Sequence, residues 1–165
     1  EVLVREENLG HREAMRAEPL GTRVVITRLG IVLAEDGGAL EKLLTPFKMF
    51  AGGPVGNGEQ WFPWVHIDDV VGIMLHAIDH PEISGVMNAV SPGLVRNREF
   101  AVALGEALKR PARFSVPAFV IKLALGELGG TLLGGQRARP SRTLDSGYQF
   151  RYETIEKALS DLVTV

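Results

Sequence analysis

RVVITRLGIVL, residues 23 to 33, is the stretch that decides the fold. Apolar side chains occupy both parities from Val24 to Ile26 and again from Ile31 to Leu33, and most of them are β-branched. A strand with one wet face alternates apolar and polar residues, whereas a strand covered on both faces does not. The stretch therefore predicts an interior strand of a parallel sheet.

The flanking sequence alternates helix and strand patterns. VMNAV, residues 86 to 90, predicts a second short buried strand that ends at Ser91, Pro92 and Gly93. Apolar residues at helical spacing predict helices at 6–18, 39–50, 67–80, 97–108 and 154–163, with short helices in 117–135. This alternation predicts an α/β fold, although two central strands are few for a complete doubly wound sheet.

Three side chains are expected to cap helices, and one helix has a clear apolar stripe. The predicted N-caps are Asp68, Asn97 and Thr154. In the helix at 67–80, the side chains expected to face the core are Val70, Met74, Ala77 and Ile78.

Composition excludes several classes of protein. The 165 residues carry 18 basic and 20 acidic side chains, a net charge of −2, so no charge pattern for nucleic acid is present. The absence of cysteine removes disulfides and thiolate chemistry. No apolar run reaches membrane-spanning length, and the charged start EVLVREE is no signal peptide. We expect a cytoplasmic protein that binds neither nucleic acid nor membrane.

The glycine run GGPVGNG, residues 52 to 58, could cradle a phosphate or form a tight turn. A dinucleotide-binding loop has a third glycine where Trp61 stands, and it opens a helix. Pro63 instead forces Phe62 toward extended geometry. The turn is the favoured interpretation.

Two further patterns are weak candidates for catalysis. His76 and His80 have the spacing of a zinc pair, but Ala77 stands where a metalloprotease has glutamate, so no metal is expected. Ser91 lacks the glycine that a nucleophile elbow has two residues earlier, where this chain has Ala89. Ser91 is predicted to be a turn residue.

The aromatic stretch GNGEQWFPWVHIDDV, residues 56 to 70, leaves two interpretations open. Its aromatics could anchor the following helix to the core, or they could form the wall of a substrate pocket. Alternation would place Gln60, Phe62, Trp64 and His66 on one face and Trp61, Pro63 and Val65 on the other.

The order of these pieces resembles a known family. They are RLGIVL at 28–33, GGAL at 37–40, GGPVGNGEQWFPWVHIDD at 52–69, GVMNAVSP at 85–92, EFAVALGEALKRPA at 99–112, and later GQRARP and GYQFRY. Together they are similar to the C-terminal half of the epimerase-like branch of extended short-chain dehydrogenases/reductases, known as family 39U. The similarity extends over nearly everything from residue 11 onward.

The resemblance implies the C-terminal part of a Rossmann-like NAD(P)-binding fold with a small substrate lobe. Residues 1–51 would hold the late Rossmann elements, and residues 52–165 the substrate lobe and the C-terminal helices that pack back on the Rossmann part. It further implies an oxidoreductase or epimerase that acts on a nucleotide-sugar-like or other carbonyl or alcohol substrate, with NADP or NAD as cofactor. The implied cofactor-binding residues are Arg28, Gly30, Ile31 and Val32. The implied substrate-binding residues are Gln60, Trp61, Trp64 and His66.

Two departures from the family limit these expectations. The catalytic Tyr-x-x-x-Lys pair is missing: if Glu13 is aligned with the family's glutamate, the lysine and tyrosine positions hold Leu9 and Arg5. The glycine-rich loop of the first half is also absent, so the chain alone is expected to be inactive and to bind NAD(P) weakly. Catalytic residues stay unassigned, and a non-catalytic NAD(P)- or ligand-sensing protein is the alternative. Strand edges left without neighbours predict self-association.

Overall fold

The computed structural model describes residues 10–112, 114–117 and 135–163. Its helices are α1 (residues 10–15), α2 (Gly38–Lys48), α3 (Ile67–Asp79), α4 (Asn97–Ala107), α5 (Ser141–Asp145) and α6 (Ile155–Leu162). Its strands are β1 (Val25–Leu29), β2 (Ile31–Leu33), β3 (Trp61–Phe62), β4 (Trp64–His66), β5 (Gly85–Ala89) and β6 (Val95–Arg96). The short helices predicted within 117–135 fall almost entirely outside the described residues.

The stretch at 23–33 forms two strands instead of one. β1 pairs in parallel with β5, with Val25 opposite Gly85 and Leu29 opposite Ala89. After Gly30 the chain continues as β2, which pairs in parallel with β4. The change of partner occurs where Ile31 N donates to Pro63 O at 2.6 Å. The prediction of parallel pairing is confirmed, while the single continuous strand is corrected. The predicted interior position is corrected as well, because among the described strands β1 pairs only with β5, and its last two residues are exposed.

Gly30 is required at this change of partner. A Cβ on residue 30 would lie 2.5 Å from the carbonyl oxygen of Pro63 and 2.9 Å from the Val90 side chain. Since real Cβ atoms do not approach a carbonyl oxygen so closely, only glycine lets the two backbones meet here.

Two groups of buried apolar side chains form the core. The larger joins α2, α4 and α6 to β2, β3 and β4, with the Phe62 and Phe100 rings stacked at 4.0 Å. The smaller packs α3 against β5 and Phe150. The helix predicted at 154–163 is α6, which buries Ile155, Leu159 and Leu162.

Two of the three predicted caps are wrong. The N-cap of α3 is His66, whose Nδ1 accepts a hydrogen bond from Asp68 N at 3.1 Å, so Asp68 is not the cap. The N-cap of α4 is Arg96, because the Asn97 side chain accepts from Val55 N at 2.7 Å instead. Thr154 is the N-cap of α6, as predicted.

The apolar stripe predicted for α3 is also corrected. α3 buries Asp69, Val70, Ile73 and Ala77, but Met74 and Ile78 lie on its exposed side. The helix is apolar around most of its circumference, so its sequence does not show which face packs on the sheet. Among the described residues, no helix is both long and apolar enough to cross a bilayer.

Candidate functional site

The carboxyl end of β1 is the centre of the candidate site. In open α/β sheets, ligands bind at the carboxyl ends of the parallel strands. Here Gly30 N donates to Ala89 O at 3.0 Å, and Ile31 N donates to Pro63 O. Both backbone donors are therefore engaged within the fold, and what Ile31 and Val32 present to a ligand is half-buried apolar surface.

Arg28 supplies a positive charge beside this strand end. Its side chain is exposed, and Arg28 pairs with Asn88 in the register of β1 and β5. Within the ranges that the structure describes, no hydrogen bond or ion pair holds its guanidinium. Asn88 Nδ2 donates to Arg139 O at 3.0 Å, which ties the segment before α5 to β5, the neighbour of β1.

Gln60 and Trp61 precede Pro63, whose carbonyl oxygen accepts from Ile31 N at the strand end. Gln60 Nε2 donates to Val55 O at 3.1 Å and closes the glycine-rich turn. The half-buried Trp61 ring meets two guanidiniums: Arg96 Cζ is 4.6 Å and Arg137 Cζ is 5.1 Å from its centroid. Local sequence patterns do not predict either contact, because the two arginines are 35 and 76 positions away from Trp61 along the chain.

The Trp64 side chain is 1 % exposed, and its Nε1 donates to Gly93 O at 2.9 Å. Phe62, Trp64 and His66, which were predicted to share a face, are all buried, and Val65 is buried as well. Pro63 divides the predicted single strand into β3 and β4. Trp64 therefore fits the first interpretation of the aromatic stretch, in which its aromatic side chains anchor the following helix to the core.

The His66 side chain is also buried, with an exposure of 1 %, and it contacts two residues of the C-terminal segment. Its ring stacks on Tyr152 with 3.7 Å between centroids, and its Nε2 lies 3.2 Å from Asp161 Oδ2 without the alignment of a hydrogen bond. Because Nδ1 accepts from Asp68 N, a neutral ring carries its proton on Nε2, facing Asp161. Burial and the hydrogen bond with Asp161 raise the pKa of the Tyr152 phenol.

Asp69 connects α3 to the segment after α5. It is fully buried and accepts hydrogen bonds from Tyr148 Oη at 2.9 Å, Arg151 N at 2.8 Å and Tyr152 N at 3.0 Å. Burial, and then this hydrogen bond, raise the pKa of Tyr148 above its ordinary value. The phenol therefore stays protonated and donates to the carboxylate. In this arrangement the second aspartate of IDD holds the fold together.

The two histidines at the C-terminal end of α3 contact backbone carbonyl groups. His76 Nε2 lies 3.0 Å from Ser146 O, and His80 Nδ1 lies 2.8 Å from His76 O. Carbonyl oxygens only accept, so each of these nitrogens carries a proton and is unavailable as a metal ligand. Ser91 Oγ likewise donates to Glu153 O at 3.1 Å, in keeping with a turn residue.

Two protein-family patterns match separate ranges of the chain. The pattern of the NAD dependent epimerase/dehydratase family matches residues 12–90, and a domain of unknown function (DUF1731) matches residues 116–162. Epimerase family protein SDR39U1 of Mus musculus is 44 % identical over 151 residues, which are 91 % of this chain and 52 % of the mouse protein.

Solved structures of related proteins share the fold of this chain. Human SDR39U1, crystallised with NADPH, superposes with a TM-score of 0.79 at 41 % identity, over 86 % of this chain and 48 % of the human chain. UDP-N-acetylglucosamine 4-epimerase from Bacillus cereus, at 10 % identity, shares the fold with a TM-score of 0.68 over 90 % of this chain and 48 % of the other.

The chain thus spans about half the length of these relatives. The α/β, Rossmann-like character predicted from the sequence is confirmed. The resemblance to family 39U is confirmed as well, by sequence identity and by structure. The chain is thus similar, over most of its length, to about half of the SDR39U1 proteins, and its residues 12–90 match the NAD dependent epimerase/dehydratase family.

Proposed function

We propose that this chain supplies the substrate-binding lobe and one wall of the nicotinamide site of an NAD(P)-dependent oxidoreductase or epimerase. The observation that carries the proposal is the contact between Pro63 O and Ile31 N, 2.6 Å long. This contact joins the carboxyl end of β1 to Pro63, which follows Gln60 and Trp61 in the chain. Cofactor-side and substrate-side residues thereby border one edge of the fold.

The residues at the strand end suit a nicotinamide ring through their side chains. Ile31 and Val32 offer half-buried apolar surface for the face of a flat ring, while the backbone donors of Gly30 and Ile31 are already paired. The exposed Arg28 guanidinium suits an anionic or amide oxygen of the cofactor. NADP or NAD would supply hydride transfer when bound. The NADPH in the human relative supports this choice.

On the substrate side, the four predicted residues divide into two pairs. Gln60 and Trp61 are partly exposed and are proposed to border the substrate. Trp64 and His66 are buried in the core and are proposed to hold β4, and through it the pocket edge, in place. Buried supports of this kind fix the orientation of groups that contact a ligand.

One observation favours a second candidate, a protein that binds NAD(P) or another ligand without turnover. No Tyr-x-x-x-Lys pair occurs in the sequence, although a tyrosine of this kind exchanges the proton in extended family members. Binding of NADPH without oxidation or reduction of any of a panel of sugar nucleotides and carbonyl compounds would favour this candidate.

The test is calorimetric titration of NADPH into two proteins: this 165-residue chain, and a longer form extended upstream to the length of the relatives. We expect micromolar binding by the longer form and binding at least about 100-fold weaker by the short one, because the family's glycine-rich loop holds the pyrophosphate.

A matched pair of variants locates the cofactor. Arg28→Gln in the longer form should weaken NADPH binding by about tenfold, the size of one charge-assisted hydrogen bond. Arg16→Gln, on the exposed segment after α1, is the control and should change it by less than about twofold. Absence of NADPH and NADH binding by a folded longer form would overturn the proposal.

A further inference from the structure

His66 has two neighbours that favour opposite charge states of its ring. On one side, Nδ1 accepts a hydrogen bond from Asp68 N at 3.1 Å, which makes His66 the N-cap of α3. On the other side, Nε2 lies 3.2 Å from Asp161 Oδ2 on α6. A ring nitrogen accepts from a backbone N–H only when it carries no proton, whereas a carboxylate attracts the positive, fully protonated ring. The cap therefore requires the neutral ring, and Asp161 favours the charged one.

The contact between His66 and Asp161 is incomplete. Within the ranges that the structure describes, Nε2 is a buried atom without a hydrogen-bond partner, although the Asp161 carboxylate is close. Buried polar atoms of this kind are rare in folded proteins. The structure thus shows an arrangement in which the cap bond is made and the ion pair is not.

Charged and titratable groups surround the ring from three segments. The ring stacks on Tyr152, a phenol that stays protonated because burial and the hydrogen bond with Asp161 raise its pKa. The nearby cations are engaged elsewhere, since Arg151 contacts Asp68 and Lys157 Nζ donates to Arg151 O. The groups in the described part of the chain are Asp68 and Asp69 on α3, Arg151 and Tyr152 before α6, and Lys157 and Asp161 on α6.

Protonation of the ring costs more than the ion pair with Asp161 returns. A proton on Nδ1 removes the cap bond and places positive charge at a helix N-terminus, which together lower the folding equilibrium constant by about tenfold. Because Asp161 is half-exposed, water screens its pair with the ring, which raises that constant by only about twofold. The balance is a loss of about fivefold.

His66 also connects two parts of the fold. It is the last residue of β4, where it lies opposite Leu33 of β2, and α3 begins directly after it. β2 contains Ile31 and Val32, the residues proposed to meet the nicotinamide ring. A change at His66 therefore affects the strand pair that borders the proposed cofactor site.

We propose that His66 is a proton-sensitive contact: on protonation, its ring exchanges the cap bond with Asp68 N for an ion pair with Asp161, and the first turn of α3 is released. This inference does not depend on the proposed function, because it concerns contacts within the chain itself. Histidine changes its charge between about pH 5 and pH 8. The cap bond is complete at the upper end of this range and is lost as the pH falls, so acid should weaken the fold.

Urea denaturation of the 165-residue chain at about pH 8 and about pH 5, at one protein concentration, tests the proposal. The His66→Asn variant is the reference, because asparagine is a favoured N-cap whose oxygen accepts without titrating. Between the two pH values, the folding equilibrium constant of the native chain should fall about fivefold more than that of the reference. Asp161→Asn removes the anion, so its constant should fall about tenfold more than that of the reference.

Two control variants remove a similar group elsewhere. His11→Asn removes another histidine, and Glu156→Gln removes an exposed carboxylate from the first turn of α6. Both should keep the acid loss of the native chain.

Amide hydrogen exchange measured by NMR tests the same contact without a substitution. The protection of the Asp68 amide, corrected for the intrinsic pH dependence of exchange, should fall about fivefold from about pH 8 to about pH 5. The Lys157 amide is the matched control, because it donates to the Thr154 hydroxyl group in the N-cap of α6, which does not titrate. Its protection should stay the same.

Four outcomes would overturn the proposal. They are a proton on His66 Nδ1 at about pH 8 in nitrogen chemical shifts, an equal acid loss in the native chain and the His66→Asn variant, an acid loss that Asp161→Asn leaves unchanged, and constant protection of the Asp68 amide. If the His66→Asn variant does not fold, the Asp68 amide of the native chain decides.

Discussion

At the scale of single residues, Asp69 shows how one buried charge organises a connection that the local sequence does not reveal. Its carboxylate receives two backbone N–H groups and one phenol, all from residues about 80 positions away. Burying a carboxylate is costly unless its oxygens are hydrogen-bonded, and here three donors meet that requirement. Asp68, next to it, is exposed and contacts Arg151 only loosely, at 3.7 Å.

The two aspartates therefore make a matched pair for mutation. Asp69→Asn places an amide NH₂ against groups that themselves donate, so at least one buried donor loses its partner. We expect the free energy of unfolding, measured by urea denaturation, to fall by about 2 to 3 kcal/mol. Asp68→Asn should change it by less than about 0.5 kcal/mol. Similar losses in the two variants would contradict the role assigned to Asp69.

Sequence reasoning at this scale succeeded where a residue acts locally and failed where it acts across the fold. Thr154 caps its own helix, and the pattern of α6 predicts that. Asn97 has the same capping chemistry, yet Val55 N, 42 positions away, takes its side-chain oxygen. The contacts of Arg96 and Arg137 with Trp61 also join residues that are far apart in the sequence. The sequence therefore predicted Trp61 as a substrate residue without predicting the two arginines beside it.

At the scale of secondary-structure elements, α3 depends on a glycine that intrinsic propensity would disfavour. Gly72 lies in the middle of the helix, and a Cβ there would collide with the hydroxyl group of Tyr148. Because residue 72 has no side chain, the Tyr148 phenol can lie against the helix and donate to Asp69, which is in the same helix. Gly72 stands where alanine would otherwise favour the helix by about 1 kcal/mol.

Gly72→Ala should therefore destabilise the protein by about 1 to 3 kcal/mol, the usual cost of overpacking, despite the better helix propensity of alanine. Thermal melts and urea denaturation measure this. Gly10→Ala, where a Cβ meets nothing within 4 Å, is the control and should have no cost. Tyr148→Phe removes the colliding hydroxyl group, so Gly72→Ala should cost less in that background. An equal cost in both backgrounds would contradict the clash.

The strands show a similar division between what their sequences predict and what they do not. The composition of 23–33 predicts a parallel strand, and the pairing of β1 with β5 confirms it. The break at Gly30 depends on the carbonyl of Pro63, 33 residues later, and a single glycine in an apolar run is too weak a signal for it. The division of the chain at residues 51 and 52 stays a prediction.

At the scale of the whole molecule, two surfaces of the described residues lack a covering element. β1 pairs only with β5 among the strands that the structure describes, so one edge of β1 has no strand beside it. On α3, the side chains of Val71, Leu75 and Ile78 are about half exposed or more and form one stripe. Open edges and apolar patches of this kind favour association.

We propose, accordingly, that the 165-residue chain self-associates in solution. Multi-angle light scattering should give a mass above 17.9 kDa that rises with concentration. Leu75→Lys should shift the population toward monomer, because a charge on the α3 stripe opposes its burial. Val102→Lys on α4, where the native valine is equally exposed, should leave the mass unchanged. A native chain that is monomeric at every concentration would contradict the proposal.

The pairing of β1 with β5 also has a consequence for synthesis. Arg23, just before β1, hydrogen-bonds Ile83 O just before β5, across 60 positions of sequence. At about 5 to 20 residues per second, a ribosome needs roughly 3 to 12 s to add that length. For that interval the nascent β1 has no β5 to join, and its β-branched residues are a natural target for chaperones that bind extended apolar chain.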